Sequence, residues 1–222
     1  MRRLIETEWL DELPPEEPRA VRSRADLRRL NGFMNHAGIL ASVLRSGSPP
    51  PRVLDLGGGD GAFALRLART LRWRGCEFVI VDRNPIVPRD VRKSFAAQEC
   101  PVTSLRCDVL HGLDSAGEAE VVFANLFLHH FEDTALVRLL RDVASRCKMF
   151  LACEPRRSPF AVMGSRCVAL LGCNAVTRHD AVISVRAGFQ DGDLSRLWPD
   201  GGWKIHERAA GFFSHLFVAQ RL

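Results

Sequence analysis

Gly57, Gly58, Gly59 and Gly61 place four glycines in five positions, directly behind a short apolar run that ends in acid, "VLDLGGGDGA". Glycine is used where backbone must take positive φ or come close to a ligand, and a helix following such a loop points unpaired N–H groups back at it. The chemistry suggested is capture of a nucleotide-like ligand. Gly57, Gly59 and Ala62 satisfy a dinucleotide fingerprint, with Asp82 about twenty residues on as the ribose acid. Gly57, Gly59 and Gly61 equally satisfy G-x-G-x-G. Asp55 separates the two, because a carboxylate at the strand end repels a pyrophosphate but suits a ligand carrying an ammonium group. That favours S-adenosylmethionine over NAD.

A second reactive cluster is "NLFLHHFED". His129 and His130 are candidates for a general base, since an imidazole titrating near neutrality suits removal of a phenolic or enolic proton. Adjacent residues point in different directions, so one of the pair is expected to act, and His130 is preferred. The opposing reading is that both histidines pack. His179 and His215 stand in reserve. Arg156 and Arg157 follow "CEP" and offer two guanidiniums for an anionic acceptor such as a carboxylate or phosphate, unless they are surface arginines. Asp180, in "TRHD", is explained by a helix capping box.

These residues need a frame. From Arg52 onward, strand-like and helix-like segments alternate, which argues for parallel βαβ units covered on both faces. Strands are expected near 52–56, 76–81, 102–107, 120–125, 148–153, 203–207 and 212–219, the last two as a hairpin. Residues 1–50 are helical in two pieces broken at "LPPEEP", the second starting at a Ser23 cap. An apolar stripe runs along it through Leu27, Leu30, Phe33, Met34 and Leu40. The stretch between the fifth and sixth strands is longer than one connecting helix requires. It falls at the ligand-binding edge of an open α/β sheet, and is expected to wall an acceptor pocket.

"VLDLGGGDGAFALRLA", "FVIVDRNP", "LRCDVL" and "AEVVFANLFLHHFED", in this order and spacing, resemble the successive motifs of class I S-adenosylmethionine-dependent methyltransferases, over roughly Pro51 to Glu154. The resemblance implies a Rossmann-like, mostly parallel seven-stranded α/β sheet with one antiparallel strand and helices on both faces. It implies S-adenosyl-L-methionine as cofactor, leaving S-adenosyl-L-homocysteine, with Asp55, Gly57, Gly58, Gly59 and Gly61 in the cofactor loop. Asp82, with Arg83 beside it, would hold the ribose; Asp108 and Val109 the adenine; Asn125 the methionine portion. Residues 1–50 become a helical cap or lid that shapes the acceptor site, with Met34 facing substrate, and 51–222 the methyltransferase domain with a helical insertion around 155–200. The combination of helical N-terminus, "LHHF" and long insertion resembles bacterial secondary-metabolite and quinone methyltransferases, which implies O-methylation of an aromatic or polyketide-like hydroxyl. Carbon or nitrogen methylation, an RNA or protein substrate, and a noncatalytic module retaining the fold stay open.

Composition sets the outer limits. The 222 residues suffice for one well-buried α/β domain. There is no run of eighteen apolar residues, and "MRRLIETEWLDELPPEEP" is too charged for a signal-peptide core, so a cytoplasmic protein without membrane insertion is expected. Seven cysteines without C-x-x-C spacing read as buried thiols, and no metal site is expected. The net charge of +5 permits nucleic-acid contact, but the arginines lie along helices and favour a solvated face.

Overall fold

Short apolar strands buried on both faces build the centre of the molecule, and only the edge strand near the C-terminus alternates between half-buried and exposed residues. The computed structural model describes residues 1–45 and 47–222. Seven strands, β1 (Arg52–Leu56), β2 (Glu77–Asp82), β3 (Val102–Arg106), β4 (Val121–Asn125), β5 (Met149–Pro155), β6 (Trp203–Ala210) and β7 (Ser214–Arg221), form one sheet in the order β3-β2-β1-β4-β5-β7-β6. All neighbours pair in parallel except β5–β7 and β6–β7, so β7 is the one reversed strand. Successive residues of a strand face opposite sides, and the core divides accordingly. Leu54, Leu56, Val79, Val81 and Val122 pack on one side against Leu136, Leu139 and Leu140. Val53, Phe78, Ile80, Phe123 and Leu151 pack on the other against Leu40, Leu65 and Leu67.

The helices are α1 (Trp9–Glu12), α2 (Pro18–Phe33), α3 (His36–Leu44), α4 (Ala62–Leu71), α5 (Arg89–Ala97), α6 (Asp133–Arg146), α7 (Pro159–Arg166) and α8 (Ala175–Ala187). Strand positions agree with the sequence expectation to within one or two residues at most ends. The N-terminal helices differ from it. α2 begins at Pro18, a residue suited to the first helical turn, and Ser23 lies inside it, buried and bonded to Thr177 Oγ1 at 2.9 Å. The expected single helix is divided at Asn35, whose φ of 54° ends α2 and turns the chain into α3. The cap of α8 is Asn174, accepting from Thr177 N, and not the box at Thr177. Asp180 lies inside α8 and caps a different helix, its two oxygens accepting from Trp9 N and Leu10 N of α1. Among the described residues every cysteine is a free thiol, and all but Cys167 are buried. No helix among them is long and apolar enough to cross a membrane.

Candidate active site

The order of strands reverses between β1 and β4, and the carboxyl ends of β1, β2, β4 and β5 open there into a cavity of about 1620 Å³. That exceeds the roughly 300–1,000 Å³ of a typical single-ligand site and leaves room for two ligands. The sheet, the loops behind its strands, α1, α2 and the insertion all contribute walls.

The glycine loop forms one end. Gly57, Gly59 and Gly61 have φ of 70°, 52° and 71°. A Cβ on Gly57 would come 2.2 Å from the Phe127 ring, and one on Gly58 2.5 Å from Asp55 Oδ2, so the loop has no room for side chains at these two positions. Asp55 is buried, and its Oδ2 has no hydrogen-bond donor among the described residues. Burial, reinforced by the charges of Asp82 and Asp60, pushes its pKa well above the usual carboxylate range. An orphaned acid beside a bare backbone cradle fits a ligand that brings an ammonium group. It does not fit a pyrophosphate. Asp82 closes this end, its Oδ2 accepting from Gly59 N at 3.0 Å and Oδ1 from Asn84 N at 2.8 Å, while each oxygen keeps a lone pair for a hydroxyl.

Asn125, at the end of β4, is fixed from the N-terminal helices. Its Oδ1 lies 2.8 Å from His36 Nδ1, and its amide donates to Asn31 Oδ1 at 3.2 Å. His36 is fully buried, with Nε2 2.7 Å from Ser214 Oγ, and burial lowers its pKa to about 4. The neutral ring therefore holds one proton between two acceptor-capable neighbours and joins α3, β4 and β7.

The histidine pair behaves asymmetrically. His129 is buried, with Nδ1 2.8 Å from Glu154 Oε2 and Nε2 3.3 Å from Glu8 Oε1. Burial alone would deprotonate it, but the bonds and charges of the two carboxylates outweigh burial and raise its pKa to about 9. His129 is an imidazolium locked between two acids. Glu154 also accepts from Phe127 N and Leu128 N, at 3.0 and 2.9 Å, and so orders the turn after β4. Glu8 is pulled down to about 2 by His129 in spite of its burial. His130 is half-buried on the cavity wall, where burial and then the His129 charge lower its pKa to about 4. Asp11 Oδ2 stands 3.4 Å from its Nδ1. Glu8, His129 and His130 also bring ligand atoms within 4.8 Å of one another, close enough for a metal ion to bridge. Because both ring nitrogens of His129 already face carboxylates, the ion pairs account for the cluster without one.

Of the residues singled out in the sequence, Asp55, Gly57, Gly58, Gly59, Asp82, Arg83, Val109, Asn125, Met34, His129 and His130 meet at this one cavity. Others do not. Gly61 is the left-handed residue that begins α4. Asp108 accepts from Leu110 N at 3.0 Å and pairs with Arg83 at 3.1 Å, so its carboxylate serves the turn, and Val109 is what this strand end presents to the cavity. Arg157 is buried away from the cavity, donating to Gly188 O, Met1 O and Asp193, because it anchors the start of the chain. Arg156 is likewise outside the cavity wall, in a bridge to Phe189. His179 stacks on Trp9, with ring centroids 3.7 Å apart, and His215 is buried 2.7 Å from Glu207. Glu8, Asp11, Asn31, His36 and Glu154 were not singled out. The acidic run around Glu8 and the Glu154 at a strand end were the available signals.

Residues 53–149 match a family described as a methyltransferase domain. An uncharacterized methyltransferase of Mycobacterium tuberculosis is 40% identical over 90 residues, 39% of this chain and 42% of that protein, so the match spans less than half the length of this relative. The fold is similar to that of an O-methyltransferase family protein from Burkholderia thailandensis, at TM-score 0.60 and 21% identity over 93% of this chain and 62% of the other. It is also similar to the plantazolicin methyltransferase BpumL in complex with S-adenosylhomocysteine, at TM-score 0.65 and 12% identity over 93% and 92%.

Proposed function

We propose, from the chain's place among the class I S-adenosylmethionine-dependent methyltransferases, that it methylates a hydroxyl on a small, largely apolar acceptor. The observation that carries this reading is the place of His130, on the wall of the same cavity that contains the glycine loop and the orphaned Asp55. When bound, the cofactor supplies an electrophilic methyl group on a sulfonium. Asp55 would meet its ammonium, Gly57 to Gly59 would accommodate its backbone approach, and Asp82 would accept from the ribose hydroxyls. Val109 would pack on the adenine.

The chain's own work on the acceptor is positioning and proton removal. Met34, Leu30 and Phe33 of α2, with Val168 and Leu171 of the insertion, give the acceptor end apolar walls. His130 would take the hydroxyl proton at an unprotonated ring nitrogen, with Asp11 steadying the imidazolium that results. His129 cannot share this task, because its proton is held by Glu154 and Glu8. Residues 1–50 act as the cap of this acceptor end, and the insertion as its opposite wall.

Charge argues against a nucleic-acid substrate. The N-terminal segment brings Glu6, Glu8, Asp11, Glu12 and Glu16 to the cavity, so the protein's excess positive charge does not converge there. The test is a methyl-transfer screen against phenols, quinols and hydroxy-acids, with mass analysis of products. A product heavier by one methyl on oxygen supports the reading. Transfer only to carbon or nitrogen acceptors would revise the acceptor atom, and transfer only to RNA would overturn it.

A further inference from the structure

Large apolar side chains stand in solvent on one side of the cavity mouth. Phe160 and Met163, three apart on α7 and so on one face, are 48% and 58% exposed. Phe212, at the turn between β6 and β7, is 72% exposed, and its ring centroid lies 5.2 Å from that of Phe160. Leu170 is 86% exposed in the 3-10 turn after α7, and it lines the cavity together with Leu171 and Phe33. Phe160 also stacks on Phe213, with ring centroids 5.8 Å apart, and Phe213 lines the cavity, so the patch on α7 reaches the cavity wall.

The elements that carry this patch are basic, whereas the acids at the cavity belong to the N-terminal segment. Between Glu154 and Asp180 the chain has no acidic residue and four arginines, Arg156, Arg157, Arg166 and Arg178. Arg157 is turned inward to Asp193, but Arg166 and Arg178 are exposed, as is Arg208 before the Phe212 turn. Among the described residues none of these three has a carboxylate partner, whereas Arg28, Arg29, Arg74 and Arg83 do. Unpaired arginine around protruding Phe, Met and Leu is the composition of a surface that rests in a headgroup layer, with apolar tips below and cations at the anionic phosphates.

We propose that α7, the 3-10 turn behind it and the β6–β7 turn form a docking face for an anionic lipid bilayer, against which the acceptor end of the cavity opens. The protein would lie on the membrane without spanning it. An acceptor dissolved in the bilayer could then pass from lipid to cavity along Leu170, Leu171 and Phe33 without crossing water. The docking face stands independently of the methyl-transfer reading, and only its purpose rests on that reading.

The test is flotation of the full chain with vesicles of phosphatidylcholine alone and of an equal mixture with phosphatidylglycerol. The wild type should float with the anionic vesicles, weakly with the neutral ones, and less in high salt. The triple variant Phe160→Ser, Met163→Ser, Phe212→Ser should bind anionic vesicles about tenfold or more weakly, since three partly buried apolar anchors are lost. Its affinity for S-adenosylhomocysteine, measured alongside, should be unchanged, because none of the three lines the cavity. Should that variant fail to fold, Arg166→Glu with Arg178→Glu should abolish the preference for anionic lipid. A wild type that binds the cofactor product but no vesicle overturns the proposal. So does concentration-dependent self-association that the triple variant removes, which would make the patch an interface between copies.

Discussion

At the cofactor end of the cavity, the polar groups belong to neighbouring strand ends: Gly59 N meets Asp82 across 23 residues, and Asp55 lies three residues from Gly58. At Asn125, where the cofactor end meets the acceptor end, and at the acceptor end itself they arrive from far away. His129 meets Glu8 across 121 residues, and Asn125 meets His36 and Asn31 across 89 and 94. The cofactor end is thus a consequence of the sheet, while the acceptor end exists only once the N-terminal segment has docked on it. Arg3 reinforces that docking, donating to the carbonyls of Phe131 and Ala187 and pairing with Asp133. Damage to one end should leave the other measurable.

The largest effect is expected at the acceptor end. His130→Ala should lower kcat by about a hundredfold to ten-thousandfold, the usual range for a general base, without changing affinity for S-adenosylhomocysteine. The wild-type rate should also keep its acid limb near pH 4, below the ordinary histidine range, because burial and His129 hold His130 neutral. A wild-type rate and pH profile in the mutant would reduce His130 to packing.

Glu154→Ala comes next, as it removes one partner of a buried ion pair and strands two backbone N–H groups. The expected loss is about 3–5 kcal/mol of stability, read as the shift of the urea midpoint at constant slope. A change within error would mean that the turn after β4 does not depend on this acid.

His129 makes stability pH-dependent. Its folded pKa of about 9 lies above the unfolded value near 6.5, so its contribution is fully present below about 6.5 and is lost as pH rises through 9. This contribution is shared with Glu8 and Glu154, which hold the imidazolium between them. Denaturant unfolding at pH 6 and pH 10 should differ in this direction, and His129→Gln should flatten the difference.

The smallest effect belongs to the other end. Asp82→Ala should weaken S-adenosylhomocysteine binding about tenfold or more, since charge-assisted bonds are each worth roughly 1.5–3 kcal/mol. Asp82→Asn, which retains one acceptor oxygen and can still hold Gly59 N, should lose less.

The same contrast explains what could be read from the residues alone. Strand ends at Leu56, Asp82 and Asn125 were legible, because apolar runs stopped by glycine, acid or turn residues fix both the element and the side from which a ligand approaches. The Arg156–Arg157 pair lies outside the cavity wall and Asp108 is engaged by Leu110 N and Arg83, and composition cannot say whether a polar side chain at such an end serves the ligand or its own turn. Asp108 is satisfied within three residues, and Arg157 by the start of the chain. The different surroundings of His129 and His130 come from Glu8 and Glu154, and long-range burial of charge leaves no local pattern. The break at Asn35 had only a weak sign in the sequence: asparagine is enriched at left-handed positions, but the apolar stripe continues past it at helical spacing.

The cavity's glycine end is expected to recognise a sulfonium amino-acid nucleoside. Isothermal titration of the wild-type chain with S-adenosylhomocysteine, and separately with NAD and NADP, tests it most directly. Saturable binding of S-adenosylhomocysteine at one site and none of either dinucleotide is expected, because Asp55 offers a buried acid where a pyrophosphate needs donors. Saturable dinucleotide binding without any heat from S-adenosylhomocysteine would contradict it.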